Sequence, residues 1–221
     1  MKTPRSAVAG LARQGTRSDK VRTVATVLLV RHGHTAAIGS RIVGRLPGIE
    51  LTSKGRLQAE RLVSRLSGRP LAAIYSSPLE RAIESARPLA AARGMEIGSC
   101  AGLIEIDFGE WTGLTFDSLD RLPAWHRFNA ERGSAPVPGG EGAVDVQRRA
   151  VHTIEAIAAR HPGETVAAFS HGDVIRSILL YYTGKPLDRI EDFPIDPASV
   201  SALSLTPRGA SVLYVNDPDP G

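Results

Sequence analysis

Val27-Leu28-Leu29-Val30-Arg31-His32-Gly33-His34-Thr35 is an apolar run that stops abruptly at a cation, an imidazole and a glycine. Four consecutive Val and Leu residues predict a strand buried on both faces. Strands of that kind belong to parallel sheets with helices on either side. In open α/β sheets, ligands bind just beyond the carboxyl ends of the strands. The run therefore delivers Arg31 and His32 together to the place where such a fold builds its site. Thr165-Val166-Ala167-Ala168-Phe169 does the same and ends in Ser170-His171-Gly172. Two strand-ending His-Gly pairs predict one site built around two imidazoles.

Working outward, Leu51-Thr52-Ser53-Lys54-Gly55 leads into a helical pattern with Thr52 or Ser53 as N-cap. Leu57, Leu62 and Leu66 are expected on its apolar face. Residues 70–75 predict a second strand, closed by Ser76-Ser77-Pro78, and residues 79–93 a helix that Gly94 stops. A short strand is expected within 95–104. Residues 105–140 break the pattern with Gly, Pro and Trp and read as an insertion over the site, neither strongly basic nor notably aromatic. Helices over 142–160 and 173–183 flank the second His strand, and 199–205 with 211–215 predict a terminal hairpin. This alternation predicts an α/β fold whose mainly parallel sheet is covered by helices on both faces.

A chain of 221 residues, 42% of them hydrophobic, fits one large domain or one domain with an insertion. No run approaches the roughly 20 apolar residues that span a bilayer, so no membrane partner is expected. Cys100 is the only cysteine, which fits a reducing compartment and a cytoplasmic protein. The net charge of +4 is concentrated at one end. Residues 1–22 hold six basic side chains and one acid, and the rest holds 21 basic and 22 acidic. Residues 1–22 are thus expected to be a basic, disordered tail before a domain of residues 23–217. The body lacks the basic footprint that nucleic-acid binding needs.

His32 can serve as a nucleophile: a neutral imidazole attacks phosphorus and splits one hard displacement into two easier ones. Arg31 beside it, and Arg81 in space, would disfavour the imidazolium. Arg81 falls in the first turn of the helix after Ser76-Ser77-Pro78, where a guanidinium and a positive helix terminus suit phosphate. On spacing alone it reads more readily as a surface arginine of an amphipathic helix. Glu105, between Ile104 and Ile106, fits a proton donor for a leaving oxygen better than Glu110 does. His171 would complete a clamp on transferring oxygens with Arg31 and Arg81. His126, His152 and His161 read as surface or packing residues. His32-x-His34 and His171-x-Asp173 could be drawn as zinc ligands, but no further paired ligands follow at familiar spacings.

The chain resembles the histidine phosphatase superfamily in its phosphoglycerate mutase-like branch (branch 1). The matching pieces are Arg31-His32-Gly33-x-Thr35, Leu51-Thr52-x-x-Gly55-x-x-Gln58-Ala59, Ser76-Ser77-Pro78-Leu79-x-Arg81-Ala82, Glu105-x-x-x-Gly109-x-Trp111-x-Gly113, Pro138-Gly139-Gly140-Glu141 and Ser170-His171-Gly172. They stand in the family's order. The resemblance implies a three-layer, doubly wound fold with a cap insertion at about 106–141. It implies a phosphohistidine at His32, a phosphate pocket of Arg31, Arg81 and His171 with Thr35 and Gly172, and Glu105 as acid. It implies no metal and no dissociable cofactor, and a family of monomers and dimers leaves a homodimer open. Ile38, Val43 and Gly142 depart from the Asn, Gln and Ser usual at those positions. The expected activity is a metal-independent phosphatase acting on a small phosphorylated metabolite. The alternatives are phosphoglycerate mutase-type transfer and a non-catalytic phosphate-binding homologue.

Overall fold

The structure, a computed structural model, describes residues 24–207 and 209–217. The basic stretch 1–22, expected as a disordered tail, lies outside the described residues. Six strands form one sheet: β1 Ala25–Arg31, β2 Ala73–Ser76, β3 Ile97–Ser99, β4 Thr165–Ser170, β5 Val200–Thr206 and β6 Gly209–Asp217, in the order β3-β2-β4-β1-β5-β6. The pairs β3–β2, β2–β4 and β4–β1 are parallel, whereas β5 runs against β1 and β6 against β5. The sheet is therefore mixed, parallel where the strand-ending histidines lie and antiparallel at the hairpin.

The helices are α1 Ser53–Arg65, α2 Glu80–Arg93, α3 Phe116–Leu119, α4 Pro123–Ala130, α5 Ala143–Arg160 and α6 Gly172–Thr183. Alternation along β1 divides the core. Leu28 and Val30 join one apolar cluster, with Leu62 of α1 and Leu89 of α2; Val27 and Leu29 join the other, with Ile154 of α5 and Ile178 of α6. All of these side chains are fully buried, each contributing about 1.5–3 kcal/mol. The doubly wound arrangement follows, because a strand apolar on both faces needs a helical layer on each.

Thr52 caps α1 by accepting from Gly55 N–H, and Gly94 ends α2 in the left-handed conformation at φ 61°. One expected face is corrected. Leu57 is 46% exposed, and Gln58 is buried beside Ala59 and Leu62. A step of five residues turns a helix by roughly 140°, so Leu57 and Leu62 cannot share a face.

The turn after β1 lies backbone against backbone on the start of α1. A Cβ on Gly55 would sit 2.2 Å from the His34 carbonyl oxygen, which also accepts from Thr52 N–H. Backbone cannot yield as a flexible side chain can, so Gly55→Ala should destabilise the protein by about 3 kcal/mol despite alanine's better helix propensity. Urea denaturation checks this, and an unchanged midpoint would show that the contact is not rigid.

Candidate active site

Parallel register places the site. Arg31 pairs with Ser170, and Ser76 with Phe169, so β1, β4 and β2 end side by side. One residue further on stand His32, His171 and Ser77. Backbone bonds from His32 N–H to the Ser170 carbonyl (3.0 Å) and from Ser77 N–H to the Phe169 carbonyl (2.9 Å) continue the ladder to these positions. The ring centroids of His32 and His171 are 5.3 Å apart.

The Nδ1 of His32 lies 2.7 Å from the Gly33 carbonyl oxygen. A carbonyl only accepts, so Nδ1 carries the proton and Nε2 keeps a lone pair. Burial, then the charges of Arg81 and Arg31, holds the imidazole well below its ordinary pKa. His171 is completely buried and held well below the ordinary range by burial and then by Arg81. Its Nε2 is 2.7 Å from Ser77 Oγ. With that hydroxyl donating, His171 presents Nδ1–H.

Arg81 enters from the first turn of α2, is 1% exposed, and donates through Nη2 to the Gly44 carbonyl at 2.8 Å. Arg31 donates through Nη1 to the Ile195 carbonyl. Four polar atoms of this group are buried with no hydrogen-bond partner: Arg31 Nε, Arg81 Nε and Nη1, and His171 Nδ1. Buried donors are rarely left unmatched. Grouped round a neutral imidazole, they could donate together to an anion with several acceptor oxygens. Gly172, the first residue of α6, adds a helix N-terminus, and Arg31 packs within 3.4 Å of where its Cβ would be.

Arg31, His32, Thr35, Arg81, Glu105 and Gly172 all line one cleft of about 280 Å³. His171 does not line it, being enclosed. Glu105 follows the 3-10 turn Ala101–Leu103 and accepts from Ile106 N–H at 2.9 Å. Burial, and then the Asp173 carboxylate, raises its carboxyl to about 7, against the opposing pull of Arg81 and Arg31. Glu110 is exposed and outside the cleft. His34 also lies outside it, its Nδ1 being 3.0 Å from Thr52 Oγ1. Among the described residues, no three His, Cys, Asp or Glu side chains group as metal ligands would.

Sequence reasoning missed three features, each joining residues of different elements or loops. Asp173 pairs with Arg132 at 3.0 Å and Arg176 at 3.3 Å; burial would raise its carboxyl, but the two guanidiniums outweigh that and lower it. Glu141 bridges Arg45 at 2.6 Å and Arg149 at 2.7 Å. The stretch expected to be short of aromatics instead contains a ring cluster. Trp111 meets Trp125 and Phe128 at centroid distances of 5.4 Å, and Phe108 meets Phe128 at 6.5 Å. Trp125, Phe108 and the half-exposed Phe116 reach the cleft, with Ile38 and Val43.

The sequence and the fold have counterparts among known proteins. The family model of the histidine phosphatase superfamily (branch 1) matches residues 27–218. The chain belongs to that family. It is 31% identical over 195 residues to phosphoserine phosphatase 1 of Hydrogenobacter thermophilus, covering 86% of this chain and 91% of that protein. YhfR of Bacillus stearothermophilus superposes with a TM-score of 0.82 at 34% identity, over 88% of this chain and 98% of that one. Phosphoserine phosphatase of Entamoeba histolytica, solved with 3-phosphoglyceric acid, gives 0.79 at 25% identity, over 88% and 98%. The fold expected of a histidine phosphatase is thus the fold found. Among the described residues, no helix is long and apolar enough to cross a membrane.

Proposed function

We propose that this histidine phosphatase hydrolyses a small phosphomonoester by double displacement at His32. The observation that carries the reading is the set of unmatched donors on Arg31, Arg81 and His171 around an imidazole whose Nε2 bears a lone pair. In the first step Nε2 attacks phosphorus, a P–N bond forms and the P–O ester bond breaks. Glu105 gives its proton to the departing alcohol oxygen. In the second step water attacks the phosphohistidine, its proton returns to Glu105, and the P–N bond breaks to release phosphate. Arg31, Arg81, His171 Nδ1–H, Thr35 and the α6 terminus at Gly172 hold the non-bridging oxygens. They neutralise charge that is spread over those oxygens in the transition state.

A cleft of about 280 Å³ suits a metabolite rather than a macromolecule. The named relatives, two of them phosphoserine phosphatases, support phosphate-ester hydrolysis over mutase transfer. Residues 106–141, with α3, α4 and the aromatic cluster, serve as the cap on the cleft. A cytoplasmic location belongs to the same proposal.

The test is to quench turnover of a radiolabelled ester and digest the protein. An acid-labile, base-stable phosphoryl group on the peptide containing His32 is expected. Label elsewhere, or turnover with no labelled intermediate under a fast quench, would refute the scheme. Because every catalytic group named is supplied by the chain, exhaustive dialysis against EDTA should leave the rate unchanged. Loss restored by a divalent cation would contradict this.

A further inference from the structure

Glu105 lies in no regular element, although a general acid must sit within hydrogen-bond reach of one particular oxygen. Something other than a helix or a ladder has to fix it. Two arginines from different elements converge on its backbone. Arg45, in the loop after β1, donates through Nε to the Glu105 carbonyl at 2.8 Å, and Arg149 of α5 donates to the same oxygen through Nη2 at 3.3 Å. Arg149 also takes the carbonyls of Gly102 at 2.9 Å and Ile104 at 2.7 Å. Its guanidinium therefore gathers the whole turn that precedes the acid.

Glu141 locks the two arginines to each other. Its Oε2 accepts from Arg45 Nη2 at 2.6 Å and from Arg149 Nη2 at 2.9 Å, while its Oε1 accepts from Arg149 Nε at 2.7 Å. The Arg149 pair has two parallel bonds, the geometry that makes such pairs directional. Glu141 is itself held, because its N–H donates to the Asp107 carbonyl at 2.8 Å. Gly109 and Gly140 let the two segments approach this closely. A Cβ on Gly140 would lie 2.4 Å from the Asp107 carbonyl oxygen, and one on Gly109 would lie 2.2 Å from that of Pro138.

The same lattice reaches the phosphate side of the cleft. Arg45 directly follows Gly44, whose carbonyl accepts from Arg81. None of Arg45, Glu141 and Arg149 lines the cleft. We infer that Arg149, with Glu141 and Arg45, forms a positioning clamp that sets the Glu105 carboxyl over the leaving oxygen. This rests on the proposed role of Glu105 as proton donor.

The clamp acts through Glu105, so its effect must depend on how much the leaving group needs a proton. Displacing a catalytic group by about 1 Å can cost on the order of 10²-fold. Arg149→Gln should therefore lower kcat on an alkyl phosphate by about that factor. It should leave KM unchanged and p-nitrophenyl phosphate nearly unaffected. Arg149→Lys, which keeps one cationic donor, should recover part of the loss. Circular dichroism and urea midpoints on both variants report whether the fold is intact.

A double-mutant cycle decides the matter. In a Glu105→Gln background, Arg149→Gln should cost almost nothing further on the alkyl ester. An undiminished loss in that background would overturn the clamp, as would equal losses on both esters in the folded single variant. The reading of Glu105 itself fails separately, if Glu105→Gln alone slows good and poor leaving groups alike.

Discussion

His32→Ala should lower kcat on every phosphomonoester by on the order of 10⁴-fold or more, the scale seen when a covalent nucleophile is deleted. No other group can take over: His171 is enclosed, and its Nε2 is engaged by Ser77. The fold should survive, because the strand continues through the backbone bond from His32 N–H to Ser170 rather than through the ring. The truncation leaves the Gly33 carbonyl without its Nδ1–H donor, at a cost of about 1–2 kcal/mol. It also removes an imidazole that feels the charges of two guanidiniums, Arg81 and Arg31. Phosphate should still bind, since Arg31 and Arg81 remain. Steady-state kinetics beside calorimetric titration with inorganic phosphate separate the two effects. Retained turnover would place the nucleophile elsewhere, and lost phosphate binding would show that the ring shapes the receptor.

Glu105→Gln has the second largest expected effect, and it is selective. General acid catalysis contributes about 10²–10⁴-fold where the leaving oxygen is basic. An alkyl phosphate should lose that much, and p-nitrophenyl phosphate, whose leaving group departs unprotonated, should lose little. The pH profile carries the same signature. A carboxyl raised to about 7 is protonated at pH 6 and largely ionised at pH 8. Hydrolysis of the alkyl ester by wild type should therefore fall above about pH 7, approaching tenfold per pH unit, and this limb should vanish in Glu105→Gln. His32, depressed below its ordinary pKa, stays neutral through the same range and adds no limb there. A bound phosphate dianion raises Glu105 further, so the limb for kcat should lie above that for kcat/KM. A falling limb that persists unchanged in the variant would assign it to another group.

The parts of the site legible in the sequence are those that sit at ends of regular elements. Val27–Val30 announces a strand covered on both faces, so its end locates His32, and the same logic locates His171. Ser76-Ser77-Pro78 announces a strand-to-helix turn, so Arg81 follows. Glu105 was reachable only by its apolar neighbours and its family motif, because it stands in no periodic element. The pairs Arg132–Asp173 and Arg45–Glu141 join residues 41 and 96 positions apart, and nothing local in the sequence marks them. Trp111, Trp125 and Phe128 converge from a 3-10 turn and a helix, so no single period reveals the cluster. Glu141 carried the one available signal, an acid directly after Pro-Gly-Gly, but its two arginine partners could not be named from that.

The composition of β1 has a consequence for how the protein tolerates change. Val27, Leu28, Leu29 and Val30 are all apolar and all wholly buried, so greasiness cannot tell one face from the other. A slip by one residue would exchange Leu28 and Val30 for Val27 and Leu29 at little loss of burial, yet carry His32 about 3.3 Å along the sheet. What opposes the slip is the polar end of the strand. Arg31 is tied to the Ile195 carbonyl, and its backbone exchanges bonds with Ala198 and Ser199. An arginine proposed to hold phosphate thus also keeps the central strand in frame. Substitutions within the run should be forgiven far more readily than a single inserted or deleted residue, which would leave a folded, well-packed protein with its chemistry out of step.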